Sequence, residues 1–245
     1  MSGRAALALL SILASSLVFP ACEKEEKTLK LAVVTTVRDS GLLERVVRPF
    51  EKKKKVKVWV TAVDTRNALA LAEAGAVDAL ILPISDRLAE FSAERKVGDI
   101  VRLFEDPFVV VGPADDPARI RGRNPSAALR AISQRGAAFV SCRSQSEPGE
   151  CEARLWEKVG GPVRWRARLE SDLDTLAALY EADKRKAYVI VDEATFRRHA
   201  SRVHLVPLVE GDPDLENSVA FTVVEPAHKL ALALAEAMRE IDSNR

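Results

Sequence analysis

The chain has 245 residues, 47% of them hydrophobic, with 37 Lys and Arg against 36 Asp and Glu. That is enough apolar material to bury one sizeable domain or two small lobes. A net charge of +1 excludes the global field that recruits nucleic acid, so no nucleic-acid partner is expected.

At the N-terminus Met1 to Arg4 forms a short positive segment, residues 5–18 are apolar, and Pro20-Ala21-Cys22 places a small residue before a cysteine. This resembles the lipobox of bacterial lipoproteins. The resemblance implies that the leader 1–21 is removed and that Cys22 becomes a lipid-carrying N-terminus, with an ordinary signal peptide as the alternative. A retained span is disfavoured, because the run falls short of the roughly 20 residues a bilayer needs. No later segment is long and apolar enough to cross, so a lipid anchor is the one membrane contact expected.

Residues 29–34 are a short apolar run, 35–41 a hydroxyl-rich turn, and Leu42, Leu43, Val46, Val47 and Phe50 recur at helical spacing before a strand at 56–60. Such a helix presents unpaired N–H groups and its positive dipole end to the strand's carboxyl end, where Thr35 and Thr36 add hydroxyl donors. The combination suits a small oxyanion, although such hydroxyls also serve as plain helix caps. Lys52 to Lys55 read as solvated lysines at a loop.

A turn at 64–67 then opens a helix ended by Gly75, followed by a strand at 77–82 and a helix begun by Ser85 or Asp86. Strand material resumes at 108–111, ahead of the Gly112-Pro113 break. Asn124 followed by Pro125 predicts an N-cap and first helical position for a helix running toward Gln134. Beyond it the pattern predicts a strand at 137–140, a helix carrying Leu155 and Trp156, a strand at 163–168, a helix from Ser171 and a strand at 187–191. A strand at 203–209, an acidic turn at 210–217, a strand at 219–224 and a helix at 226–241 complete the chain.

Cys142 and Cys151 form an even pair around residues 143–150. In an extracytoplasmic setting they predict a disulfide, adding on the order of 2–3 kcal/mol by restricting the unfolded chain. A metal site is the alternative, but two thiols without a nearby histidine are a poor ligand set, and no metal or cofactor is expected. His199, His204 and His228 show no metal spacing and are expected at the surface. There is no nucleophile elbow or nucleotide loop, and Ser146 beside Glu147 and Glu150 lacks a placed base, so no enzyme and no catalytic residue is expected.

Alternating strands and helices imply an α/β fold with parallel sheets flanked by helices, and ligands then gather beyond the carboxyl ends of the strands. Residues 33–55, VVTTVRDSGLLERVVRPFEKKKK, together with 103–118, LFEDPFVVVGPADDPA, and 208–213, LVEGDP, resemble the substrate-binding proteins of bacterial tungstate importers, relatives of the molybdate and phosphate binders. The likeness runs in order along nearly all of the chain after the leader. It implies a two-lobed periplasmic-binding-protein fold of type 2, two parallel-rich sheets with a cleft between them. Lobe 1 is expected at 22–112 and 205–245, and lobe 2 at 113–204.

In that family the oxyanion is held by a Thr-Thr-Ser segment, a Gly-Thr-Gly turn and an Arg-Gly-Asp-Asp-Ser-Gly-Thr segment. The resemblance maps the first onto Val34-Thr35-Thr36 and the second onto Asp64-Thr65-Arg66. The third falls on residues 142–148, where only Ser146 matches, Cys142 stands in the arginine position and Arg143 is displaced by one. Ligand contacts are therefore expected from Thr35, Thr36, Thr65, Arg66, Ser141, Arg143 and Ser146, with Arg66 or Arg143 either supplying a positive centre or lying at the surface as ordinary side chains. The lost charge-assisted contact is worth about 1.5–3 kcal/mol, one to two decades in affinity, so the ligand can differ from tungstate.

The resemblance implies a monomeric solute-binding protein, lipid-anchored on the periplasmic side of a membrane, that carries a tungstate- or molybdate-like oxyanion to an ABC permease. The alternative is a diverged lipoprotein acting as a sensor or envelope interaction module without transport.

Overall fold

A computed structural model describes residues 27–39, 41–94 and 96–242. The leader, Cys22 and its proposed lipid lie outside the described residues.

The first βα unit forms where the apolar run predicts it. Strand β1 (Thr28–Val34) leads directly into a short helix α1 (Thr35–Asp39) and then α2 (Leu42–Lys54), whose buried Leu42, Val46, Val47 and Phe50 follow the helical period. The chain continues through β2 (Lys57–Val63), α3 (Thr65–Glu73), β3 (Ala79–Pro83), α4 (Asp86–Ala93) and β4 (Val101–Glu105). After crossing over it runs through β5 (Phe108–Gly112), α5 (Pro125–Gln134), β6 (Phe139–Ser141), α6 (Glu147–Glu157), β7 (Arg168–Glu170), α7 (Thr175–Arg185), β8 (Tyr188–Asp192), α8 (Glu193–His199) and β9 (Val206–Val209). It then returns to β10 (Ser218–Val223) and α9 (Lys229–Asp242).

Two five-stranded sheets result, ordered β2-β1-β3-β10-β4 and β7-β6-β8-β5-β9. Both are mixed. In the first, β10 runs antiparallel to β3 and β4; in the second, β5 runs antiparallel to β8 and β9. One apolar cluster serves the first lobe, with Leu31, Leu80 and Phe221 fully enclosed. The second sheet carries a cluster on each face, one around Phe139 and Trp156, the other around Val140 and Leu179. Each fully enclosed side chain of this kind contributes about 1.5–3 kcal/mol by leaving water.

The sheets divide the chain differently from the expected boundaries. Strand β5 lies in the second sheet, not in lobe 1, because all five of its residues are buried between β8 and β9. Strand β9 joins it there as well. The crossovers therefore fall at 106–107 and 210–217, and the Gly112-Pro113 break ends a strand without marking a lobe edge.

Cys142 and Cys151 are free and buried rather than disulfide-bonded. They belong to the clusters on opposite faces of the second sheet, so the sheet itself separates them. Burial pushes the Cys142 thiol well above its ordinary value and Cys151 up to about 12, which leaves both as protonated core groups. His199 also departs from expectation: it is 9% exposed, lies edge-on to Tyr180 and shares a 2.9 Å hydrogen bond with its hydroxyl through Nδ1. No helix among the described residues is long and apolar enough to cross a membrane.

Candidate functional site between the lobes

Helices α3 and α6 start just beyond the carboxyl ends of β2 and β6, and these two starts face each other across the lobes. Asp64 caps α3 by accepting the Asn67 N–H at 2.9 Å, and its second oxygen accepts the Asn67 side-chain amide at 2.7 Å. Thr65 is the next residue, so its hydroxyl projects from the first position of α3. Ser146 caps α6 by accepting the Gly149 N–H at 3.3 Å while donating to the Arg143 carbonyl at 2.7 Å. Gly149 is required there, since a Cβ would stand 2.1 Å from that same carbonyl oxygen. Glu147 follows at the first position of α6.

The two helix starts meet across the cleft. Thr65 Oγ1 donates to Glu147 Oε1 at 3.0 Å in a bond that joins the lobes and is buried on both sides. Glu147 Oε2 is also enclosed and has no partner. Burial pushes this carboxyl up to about 7, against the hydrogen bonds from its own N–H and Thr65, and the charges of Glu150 and Asp64 raise it further. A cavity of about 370 Å³ adjoins it, lined by Thr65, Ser85, Glu147, Arg154 and Asn217 among others.

Thr36 is 1% exposed and its hydroxyl has no hydrogen-bond partner; Thr35 beside it is half-buried. Their helix α1 packs against α7 and α8 of the other lobe. Thr175, at the first position of α7, is fully enclosed and its hydroxyl is likewise unpartnered. Buried hydroxyls without partners are uncommon and mark places where a further polar group fits. Around them the lobes are tied by Arg38 to Asp174 at 3.2 Å, Arg87 to Glu150 at 2.8 Å and Arg198 to Glu44 at 3.7 Å.

Three sequence-predicted residues turn their side chains to other partners or to solvent. Arg66 is exposed and lines a shallow groove between α3 and α4 with Glu73, Glu90 and Lys96. Arg143 is exposed, and its guanidinium donates twice to the Asp172 carbonyl, at 3.2 and 3.1 Å. Ser141 is buried but committed: it donates to Glu152 Oε1 at 3.0 Å and accepts from Arg168 Nε at 3.1 Å. Trp156 Nε1 and Arg168 Nη2 reach the same Glu152 oxygen at 3.0 and 2.8 Å. Burial still raises the Glu152 carboxyl despite the Arg168 charge beside it.

The structure thus places Thr65, Ser146 and their helix starts together and sets Thr35 and Thr36 on another stretch of the interlobe boundary; Arg143 stands in the Ser146 turn with its guanidinium on the Asp172 carbonyl, Ser141 is engaged by Glu152 and Arg168, and Arg66 lines the groove between α3 and α4. Sequence reasoning missed Thr175 and, at the helix start opposite Thr65, Glu147. Its signal was a carboxylate directly after a helix-capping serine, a common cap neighbour that reveals nothing of what it faces. No group of three or more His, Cys, Asp and Glu among the described residues is placed to hold a metal.

A model of the PBP superfamily domain matches residues 22–236. The chain is 29% identical over 199 residues to the tungstate-binding protein TupA of Peptoclostridium acidaminophilum, covering 80% of this chain and 70% of that protein. It is 31% identical over 222 residues to a protein of Haloferax volcanii named as an ABC transporter anion-binding protein, covering 84% of this chain and 64% of the relative. The crystal structure of the tungstate ABC transporter from Geobacter sulfurreducens superposes with a TM-score of 0.76 at 30% identity, over 89% of this chain and 98% of that one. These relatives are binding proteins, not enzymes.

Proposed function

This chain belongs to the PBP superfamily, and from that premise we propose that it captures a small oxyanion between its lobes for an ABC importer. In this reading it works as a monomer outside the cytoplasm, held to the membrane by lipid on Cys22. The names of its relatives, a tungstate-binding protein and an ABC transporter anion-binding protein, support the ligand class and the transporter.

The observation that carries the reading is the set of hydroxyl donors at helix starts along the boundary between lobes, two of them without a partner. Thr36 and Thr175 hold enclosed hydroxyls without partners, and Thr65 donates across the cleft to a carboxylate oxygen. Hydroxyls at helix starts, backed by N–H groups and positive dipole ends, are the groups that hold a desolvated oxyanion. Thr35, Thr36, Thr65 and the Ser146 turn are the proposed contacts. The ligand would bridge donors of both lobes, and its differential affinity for that arrangement would hold the lobes together once it is bound.

A thermal-shift panel of tungstate, molybdate and phosphate tests this. Ligand at about a hundred times its Kd stabilises by about 2.7 kcal/mol, readily seen as a higher Tm. The double variant T35V/T36V should lose most of that shift. Flat melting curves for the whole panel, at mildly acidic and mildly alkaline pH alike, would overturn the oxyanion reading and favour an envelope sensor or interaction module.

A further inference from the structure

The Glu147 carboxylate stands where a bound oxyanion would accept hydrogen bonds. Its Oε1 takes the Thr65 hydroxyl at 3.0 Å, it sits at the first position of α6, and it is 5% exposed although nothing pairs its second oxygen. We propose that Glu147 is the specificity-determining group of the cleft: its own carboxylate occupies the oxyanion seat, closes the ligand-free lobes through Thr65, and excludes a dianion until it is neutralised and displaced. This rests on the oxyanion reading above and deepens it.

Two arguments support the assignment. The first is occupancy. Thr65 has one hydroxyl hydrogen, and while Glu147 accepts it no ligand can; a ligand must replace Glu147 on the same donor. The second is charge. A carboxylate and a dianion sharing an enclosed site repel strongly, because the low dielectric that strengthens hydrogen bonds strengthens repulsion as well.

The surroundings carry charges of both signs. On α3 the nearest charge is the Asp64 cap; on α6 there are Glu150 and Arg154; on α4, Asp86 and Arg87; on the return crossover, Glu216. Arg87 is already paired with Glu150. Burial holds the Glu147 carboxyl at about 7, so it is largely neutral in mildly acidic medium and charged above neutrality.

The sign of the pH effect follows. Neutral Glu147 tolerates an incoming dianion, so affinity should be higher below pH 7 and fall as pH rises through that value. Monomeric tungstate is a dianion over this range, so with the titrant kept dilute enough to prevent its condensation near pH 6 a slope reports on the protein.

Calorimetric titration of tungstate into wild type, E147Q and E147A at about pH 6 and about pH 8.5 tests the proposal, paired with small-angle scattering of each ligand-free protein. Wild type should bind at least about tenfold more weakly at the higher pH, a gap of about 1.4 kcal/mol. E147Q, which keeps an acceptor for Thr65 but carries no charge, should bind equally at both. E147A should bind tightest and show a larger ligand-free radius of gyration, as the lobes lose their buried tie.

Asp106 and Asp192 also titrate but remain in both variants, so a slope abolished in E147Q belongs to Glu147. A wild-type affinity independent of pH, or a slope that survives in E147Q, overturns the gate while leaving oxyanion binding intact. If no protein binds tungstate, molybdate or phosphate and E147A still expands, the oxyanion reading fails and only the closure by Glu147 stands; without expansion, both fail.

Discussion

Gly41 lies under the guanidinium of Arg198: a Cβ at position 41 would stand 1.9 Å from Arg198 Nη1. Gly41 caps α2 in the first lobe with φ +83°, and Arg198 comes from α8 in the second, where it faces Glu44 at 3.7 Å. The absent side chain is therefore part of how the lobes approach. In G41A the left-handed backbone becomes strained, at about 1–2 kcal/mol, and the flexible guanidinium must swing away from Glu44. Urea denaturation should register a loss of that size. An unchanged midpoint would show that the backbone at 41 relaxes freely.

The buried ion pair of the second lobe makes a separate prediction. Glu152 and Arg168 have side chains 6% and 11% exposed, and the guanidinium lies 5.9 and 5.8 Å from the ring centroids of Trp156 and Trp165. Removing the cation leaves an enclosed carboxylate with no countercharge, so R168M should lose about 3–5 kcal/mol. The double variant E152Q/R168M should recover much of it, since neither buried charge then remains. A double variant no more stable than R168M would refute this account.

Stability should also fall with rising pH through the carboxyls at the first crossover. Asp106 is 2% exposed and Asp192 0%, and each has an enclosed oxygen without a partner. Burial pushes Asp106 up to about 6; burial and the neighbouring Asp106 charge lift Asp192 well above the carboxylate range. Because the folded values exceed the unfolded ones, the Asp106 contribution is full below about pH 4 and is lost as pH rises through 6. D106N should flatten the decline between about pH 4 and about pH 7 by on the order of 2–3 kcal/mol, measured by denaturant melts across pH. An identical slope in wild type and variant would rule Asp106 out as the source.

Local signals in the sequence were read well where they carry their own mechanism. Asn124 and Pro125 mark a cap and first position, and α5 begins as predicted because both residues act on adjacent backbone. Strand β4 escaped notice: only one of its five residues is buried, so at the sheet edge it shows little apolar patterning. The strand expected at 163–168 is displaced: Trp165 and Arg168 are drawn into a stack and β7 starts only at Arg168. The cysteine pair looked like a bridge by spacing, which says nothing of the sheet between the thiols. The site was least legible, since Thr65 and Glu147 are 82 residues apart and no local rule tells which side chain answers a hydroxyl across a cleft.

Strand β10 fills the gap between β3 and β4 in the first sheet, whereas the second sheet is assembled wholly from residues 108–209. The two halves therefore mature at different moments. The inserted half has all its strands as soon as β9 has been synthesised, but the outer half stays split until residues 218–223 arrive from the far end of the chain. Truncation before β10 should thus leave a complete inner module attached to an unfinished sheet with two exposed edges, a species prone to pairing with its neighbours.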